Sequence, residues 1–238
     1  TQGLFATLII GTMIQQIGLL IGGSTGNVIY LLGKAAAALT SAGIGVGVAV
    51  KYGESPLVTV SAAVAAMVGG YAGKITGGTF FVDGNAVLAG PGEPLGAFIA
   101  AFAGITCGHL VSGKTKVDII VTPVITIGAG SVVGLLVGPP ISQMMTGLGS
   151  IINWATEQRP FIMGIVVSVV MGMVLTLPIS SAALGIILNL SGLAAGAATI
   201  GCCCNMVGFA VASYRENKFG GLVAQGLGTS MLQVPNIM

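Results

Sequence analysis

Charge is the scarcest property of this sequence: 8 basic and 6 acidic residues stand among 238 residues, or 6%. Soluble domains carry about 25% charged residues, because a surface that faces water must be solvated. The chain is instead 54% hydrophobic, with a mean hydropathy of +1.02. This scarcity excludes an ordinary soluble globule and predicts that lipid surrounds most of the surface. The net charge of +2 is too small and too scattered to indicate a nucleic-acid partner.

Residue types that carry catalysis or bind metals are equally scarce. The sequence has one histidine, and no Ser/His/Asp set, pair of carboxylates or metal-ligand cluster can be assembled from it. Three of its 4 cysteines are contiguous at 202–204. Neighbouring residues on a helix point about 100° apart, so these thiols cannot converge on one metal ion. The sequence therefore predicts no catalytic site, no metal and no cofactor.

A string at 108–115, GHLVSGKT, matches the Walker A pattern of nucleotide-binding proteins. That loop binds phosphate only where a buried strand leads into it and a helix follows it. Here an apolar run of membrane length precedes the string. The favoured interpretation is a turn whose lysines face the cytoplasm.

Apolar runs separated by charges predict the fold class. The interpretation is an all-α, polytopic transmembrane helical bundle that forms a single domain over 1–238, with Gly-rich broken or re-entrant helices. Its 40 glycines and 5% aromatic residues are typical of membrane helices that pack through small side chains. Each predicted span is about long enough to cross a core of roughly 30 Å. The predicted spans are 3–22, 28–50, 56–73, 94–113, 117–138 and 160–177.

Segment 139–158 differs from the spans around it. It opens with Pro139 and Pro140 and then mixes apolar with polar residues. The pattern predicts an interfacial amphipathic helix with Trp154 at the level of the lipid headgroups. A short span or a plain connector is the alternative. The basic residues predict the orientation, with Lys51, Lys114 and Lys116 on the cytoplasmic side and Lys74 on the other.

Similar stretches near the two ends of the chain predict an internal repeat, with chance similarity in a Gly- and Ala-rich sequence as the alternative. GKAAA at 33–37 aligns with SGLAA at 191–195, and AVKYGE at 49–54 resembles AVASYRE at 210–216. The copies are predicted to cover 1–138 and, in part, 159–238, joined by 139–158. An odd number of intervening spans inverts the second copy, the arrangement of secondary transporters. The second copy lacks counterparts for 74–138, so we expect the sequence to be part of a longer protein.

Polar residues cluster at the predicted helix breaks, 22–27 and 178–181, and near the carboxyl end. Asn and Gln offer both a donor and an acceptor, which suits hydroxyl-rich ligands at less cost in lipid than a charge. Packing contacts between helices are the alternative for each residue. The breaks are expected to meet around one polar cavity near the midplane. The predicted substrate-binding residues are Ser24, Thr25, Asn27, Ser180, Ser181, Asn189, Asn205, Gln233, Asn236, His109 and Glu93.

Four stretches carry a resemblance to a known family: RPFIMGI at 159–165, LPISSAA at 177–183, LSGLAAGAA at 190–198 and GLGTSMLQVPN at 226–236. They resemble bacterial membrane proteins classed as phosphotransferase-system IIC components, a family that includes membrane proteins described as toxin regulators. The resemblance implies a permease for a sugar-type solute that works with IIA and IIB phosphocarrier proteins. Known IIC permeases recognise sugar with a Glu and a His.

The leading hypothesis is a homodimeric permease in the bacterial inner membrane, embedded in the lipid bilayer, that moves a small polar solute by alternating access. The alternative is a secondary transporter or a membrane sensor without phosphoryl coupling. Phosphorylation of the transported solute distinguishes the two hypotheses.

Overall fold

The structure, a computed structural model, describes residues 2–82, 85–88, 90–176, 184–185, 188–228 and 230. It divides into two compact units, Thr1–Met144 and Met145–Met238. The division falls inside the predicted linking segment, 139–158. Helices dominate both units, so the all-α prediction is confirmed.

The first unit is a set of packed helices with one short hairpin. Strands β1 (Phe81–Val82) and β2 (Asn85–Ala86) pair antiparallel, with Phe81 opposite Ala86. A π-helical turn, Phe5–Ile9, joins the first two helices. The helices are α1 (Gln2–Leu4), α2 (Ile10–Ile21), α3 (Gly23–Ala38), α4 (Thr40–Lys51), α5 (Pro56–Gly70), α6 (Ala72–Thr76), α7 (Pro94–Val111) and the first part of α8 (Asp118–Gln158).

Among its described residues, the second unit contains the remainder of α8 and three further helices of ten residues or more. They are α9 (Pro160–Thr176), α10 (Gly192–Ala212) and α11 (Tyr214–Val223), followed by a π-helical turn, Ala224–Gly228. Val167 and Met171 on α9 pack against Ala198 on α10 and form the buried cluster of this unit. Helices α9 and α10 approach closely at Gly172: a Cβ there would lie 2.9 Å from the carbonyl oxygen of Gly201.

Candidate membrane spans follow from helix length and composition. Within the described residues, α7, α8 and α10 are each long and apolar enough to cross a membrane. A fourth span results if α3 and α4, which are bent by 53° at Leu39, count as one. Three shorter apolar helices, Phe5–Ile21, Pro56–Gly70 and Pro160–Thr176, coincide with other predicted spans. The predicted span 28–50 is therefore a broken pair and not a straight helix.

Helix α8 runs through the position where a new segment was expected. Pro139 and Pro140 both lie inside the helix, which continues to Gln158. Proline removes a backbone donor and crowds the preceding turn, which is why the sequence pattern favoured a boundary there. The interfacial placement of Trp154, which is exposed, stays a prediction.

Helices α2 and α3 form an antiparallel hairpin closed by glycine. Gly22 and Gly23 adopt φ of 65° and 63°, a conformation that glycine reaches without the clash a Cβ introduces. Along the hairpin, a Cβ at Gly18 would lie 2.7 Å from the carbonyl oxygen of Gly26. The predicted break at 22–27 is thus a turn at Gly22, followed by the first turn of α3.

Small residues at every fourth position bring α5, α7 and α8 into backbone contact. A Cβ at Gly104 would lie 2.6 Å from the carbonyl oxygen of Thr126. A Cβ at Gly130 would lie 2.6 Å from the carbonyl oxygen of Ala100. In lipid, such close approach provides the packing that drives helices together. The facing stripes are Gly96, Ala100, Gly104 and Gly108 on α7, and Thr126, Gly130, Gly134 and Gly138 on α8.

Two glycines on α8 make a matched test of this packing. A Cβ at Gly130 would meet Ala100 and Ala65, whereas nothing lies within 4 Å of one at Gly128. Gly128→Ala should stabilise the helix by about 0.5–1 kcal/mol. Gly130→Ala should instead destabilise the protein by about 1–3 kcal/mol, because the core is overpacked. Thermal unfolding in detergent measures both, and equal midpoints would contradict the assigned packing.

Candidate functional site

The break between α3 and α4 meets a loop, Gly90–Glu93, that leads into α7. We call this junction the break–loop site; it comprises Ala38–Ser41, Gly70–Tyr71 and Gly90–Glu93. The Tyr71 hydroxyl donates to the carbonyl oxygens of Ala38, at 3.3 Å, and of Gly90. The Ser41 hydroxyl donates to the carbonyl oxygen of Pro91 at 3.1 Å. The backbone N–H of Glu93 donates to the carbonyl oxygen of Gly70 at 2.7 Å.

Glu93 caps the amino terminus of α7. Its Oε1 accepts from the N–H of Leu95 at 3.0 Å, and its Oε2 accepts from the N–H of Gly96. Pro94 occupies the first helical position, where its missing donor is harmless. A negative charge is stabilised at this end of a helix by the helix dipole. A carboxylate offers about four acceptor positions, so two remain for hydroxyl or amine donors of a ligand.

Glycine is required inside this loop. Gly92 has a φ of +74°, and a Cβ there would lie 2.5 Å from the Ser41 Oγ. Gly90 has a φ of 80°. The Gly-Pro-Gly-Glu-Pro sequence at 90–94 therefore encodes both the path of the loop and the capping carboxylate. Sequence reasoning identified Glu93 but missed Ser41 and Tyr71.

The sequence signal for Tyr71 was a tyrosine at the end of a long apolar run, where its hydroxyl needs a hydrogen-bond partner. Its side chain is 1% exposed, and a buried tyrosine hydroxyl usually finds a hydrogen-bond partner. The Phe80 ring packs against it with 5.4 Å between centroids, and the Lys74 Nζ lies 5.3 Å from its ring centroid. The sequence did not show which carbonyl groups the hydroxyl would reach.

His109 belongs to a different cluster at the other end of α5 and α7. Its Nδ1 lies 2.9 Å from the Oε1 of Glu54, whose side chain is 5% exposed, while that of His109 is 70% exposed. The hydroxyls of Ser55 and Ser112 lie 3.1 Å apart beside this pair. The length of α7 separates His109 from Glu93 by about 24 Å at 1.5 Å per residue. Glu93 and His109 therefore belong to separate sites.

With this geometry in place, comparison with known proteins identifies the family. A family model described as phosphotransferase system, EIIC, matches residues 1–238. The chain belongs to this family. No curated protein and no solved structure matches it. Family membership and the apolar helices show a membrane protein of phosphotransferase transport, and the family in general implies a sugar substrate with IIA and IIB partners.

The other predicted residues of this EIIC chain lie in both units and, in part, outside the described residues. Ser24, Thr25 and Asn27 are exposed in the first turn of α3, at the opposite end of this 16-residue helix from the break. In the second unit, the carbonyl oxygen of Asn189 accepts from the Asn153 side chain at 3.1 Å. Asn205 accepts from the Ser230 hydroxyl at 2.6 Å. Ser180, Ser181, Gln233 and Asn236 lie outside the described residues.

Two other features are chemically less suited to a polar solute. A groove of ≈ 520 Å³ between α9 and α10 is lined mostly by apolar and small residues, with Thr156 and Ser168 as its hydroxyl groups. In the turn that matches Walker A, the amide of Gly113 donates to the Asp118 carboxylate at 2.9 Å. Within the described residues, no three His, Cys, Asp or Glu side chains are grouped as metal ligands.

Removing either partner of the Glu54–His109 pair tests whether the charges interact. In the wild-type background, His109→Ala removes the imidazole beside the Glu54 carboxylate. In the Glu54→Gln background, the same change removes the imidazole from beside a neutral side chain. We expect a coupling of about 0.5–1 kcal/mol in unfolding free energy, because water screens the exposed histidine. Lys51→Ala is the control, since Lys51 is exposed nearby and should couple with Glu54→Gln near zero. Additive effects for His109 would contradict the pairing.

Proposed function

We propose that this chain is the permease of a phosphoenolpyruvate-dependent phosphotransferase system. In this proposal it moves a small, neutral, hydroxyl-rich solute, a sugar, across the bacterial inner membrane by alternating access. It acts as a homodimer, and the sugar that it carries receives a phosphoryl group from phosphoenolpyruvate through the IIA and IIB proteins. Membership of the EIIC family supports the system, and the break–loop site supports the class of solute.

The single observation that carries the solute class is the Glu93 carboxylate at a broken span. Irregular backbone is tolerated at membrane depth only against protein or a water-filled cavity. Here the break at Leu39 is bordered by the loop that ends in Glu93. A carboxylate with acceptor capacity to spare suits hydroxyl donors. It also disfavours anions, because like charges repel in a medium of low polarity.

The same charge has a consequence for phosphoryl coupling. A phosphate monoester carries about −1.5 to −2 charge at pH 7. A neutral sugar accepted by Glu93 would become an anion on phosphorylation, and the carboxylate would then favour its release. The neutral predicted residues Ser24, Thr25, Asn27, Asn189 and Asn205, together with Ser180, Ser181, Gln233 and Asn236, remain proposed hydrogen-bonding groups for the solute.

One observation favours a second candidate, a secondary transporter without phosphoryl coupling. The Glu54–His109 pair combines a buried carboxylate with an exposed imidazole. Ionisable pairs of this kind near membrane depth are used in proton relays. In that case the solute would enter unmodified, and its accumulation would follow the proton gradient.

Uptake by membrane vesicles separates the two candidates. Vesicles with this protein would receive a panel of labelled sugars, with and without phosphoenolpyruvate and the soluble phosphocarrier proteins. The proposal expects uptake that requires phosphoenolpyruvate and yields the sugar phosphate inside. Unmodified sugar inside, with no effect of phosphoenolpyruvate, would favour the secondary transporter.

Glu93→Gln removes the charge and keeps one of the two hydrogen bonds that cap α7, because a Gln side chain has a single carbonyl acceptor where the carboxylate has two oxygens. Losing the charge should weaken solute binding about ten- to a hundredfold, the effect of about 1–3 kcal/mol for one buried hydrogen bond. Equilibrium binding of the transported sugar measures this change. The matched control is Glu216→Gln on α11, where Glu216 is exposed. Wild-type affinity in Glu93→Gln would remove Glu93 from the site.

A further inference from the structure

We propose that Tyr71 is a positioning residue for Glu93: its hydroxyl fixes the Gly90–Glu93 loop to the helix break and thereby sets where the carboxylate lies. The inference rests on the proposed function for its effect on solute binding. Its effect on the loop itself follows from the contacts alone. Neither the family nor the sequence pattern assigns a role to this tyrosine.

The first step is the position of the hydroxyl. Tyr71 lies between α5 and α6, and its side chain is 1% exposed. The hydroxyl is shared between the carbonyl oxygen of Ala38, the last residue of α3, and that of Gly90, the first residue of the loop. One donor therefore bridges the broken span and the loop. The carbonyl at the end of α3 needs such a partner, because a helix end leaves its last carbonyl groups without intrahelical donors.

The second step concerns the other hydrogen bonds that hold the loop within the described residues. Ser41 holds the carbonyl oxygen of Pro91, and Gly70 accepts from the N–H of Glu93. With Tyr71, these contacts fix successive points of the loop up to Glu93. The loop contains Gly90 and Gly92, both at positive φ. Glycine adopts more backbone conformations than any other residue, so these two positions give the loop alternative paths. The glycines make the observed path accessible, and the hydrogen bonds select it among the other paths that glycine allows.

The third step separates the hydroxyl from the ring. The ring of Tyr71 packs against Phe80 and lies beneath Lys74. Tyr71→Phe keeps that ring and removes only the donor, which leaves the carbonyl groups of Ala38 and Gly90 short of a partner. The loop then gains alternative paths, and the Glu93 carboxylate caps α7 for less of the time.

Amide hydrogen exchange at Leu95 and Gly96 reports this directly, because the Glu93 carboxylate accepts from both amides. In the full chain, Tyr71→Phe should raise both exchange rates about five- to tenfold, the effect of one weakened hydrogen bond. Tyr52→Phe is the matched control, since Tyr52 is 60% exposed and its ring contacts Phe102; its rates should stay within about twofold of wild type. Replacing Tyr71 with 4-aminophenylalanine restores a donor on the same ring and should restore slow exchange.

Solute affinity supplies the second readout. If Tyr71 acts through Glu93, Tyr71→Phe should weaken binding about tenfold in the wild type and hardly at all beside Glu93→Gln. A merely structural role would lower affinity by the same factor in both backgrounds, and that outcome would overturn the proposal. So would unchanged exchange at Leu95 and Gly96 in Tyr71→Phe.

Two further results bear on the proposal: the effect of Ser41→Ala on exchange, and a wild-type protein that binds no sugar. Ser41→Ala removes the hydrogen bond to the carbonyl oxygen of Pro91, keeps Tyr71, and should raise the exchange rates of Leu95 and Gly96. If these rates stayed unchanged, the proposal that hydrogen bonds hold the loop in place would be refuted, even where Tyr71→Phe does not fold. If the wild type binds no sugar, the proposed function fails. The exchange measurement then decides alone whether Tyr71 positions Glu93.

Discussion

Backbone contact through glycine and alanine is the constraint from which the first unit is built. Lipid tails are as apolar as the side chains, so burying leucine gives helices little reason to associate, and close approach must supply the packing. Fully buried alanines on α5 and α7 face one another across this interface, and glycines on α8 complete it. Such helices leave no room for long side chains between them. Short hydroxyl side chains, among them Ser61 and Thr126, are buried along these helices, whereas the carboxylates of Glu54 and Glu93 lie at helix ends.

The two polar clusters occupy opposite ends of the same pair of helices. At one end, Tyr71, Ser41 and Glu93 satisfy the carbonyl and amide groups that the helix break and the loop leave open. At the other end, the Nδ1 of His109 lies 2.9 Å from the Oε1 of Glu54. Because α7 joins both ends as one helix of 18 residues, its apolar body separates two sites with different chemistry. The Glu93 carboxylate accepts hydrogen bonds from backbone amides, whereas the Glu54 carboxylate lies beside an imidazole. A ligand that bound either carboxylate would therefore compete with a different group.

Sequence reasoning reached the helical class and most spans, since both depend on local hydropathy, and it placed Glu93 at the mouth of a span. It did not identify the bend at Leu39, where no proline or glycine marks a boundary. It also did not give the partners of Tyr71 or of His109, because Gly90 and Glu54 are far from them in the sequence. The resemblance did not align Glu93 or His109 with the Glu and His of known permeases, and the structure places His109 beside Glu54. Contacts set by tertiary packing are not encoded in local periodicity.

The identity of residue 93 bears on function because a charge was not needed for its structural task. An Asn, Ser or Thr at the N-cap also satisfies the amides of a first helical turn. A carboxylate is more expensive than these in a bundle surrounded by lipid, even though the helix dipole and two amide donors offset part of that cost. The negative charge of Glu93 is more than the cap requires, so under the proposed function it also acts on a bound solute. A hydroxyl-rich solute gains a stronger, charge-assisted hydrogen bond from a carboxylate than from an amide or a hydroxyl. Under the proposed function, the solute gives a second reason for an acid at this position, beside the cap of α7.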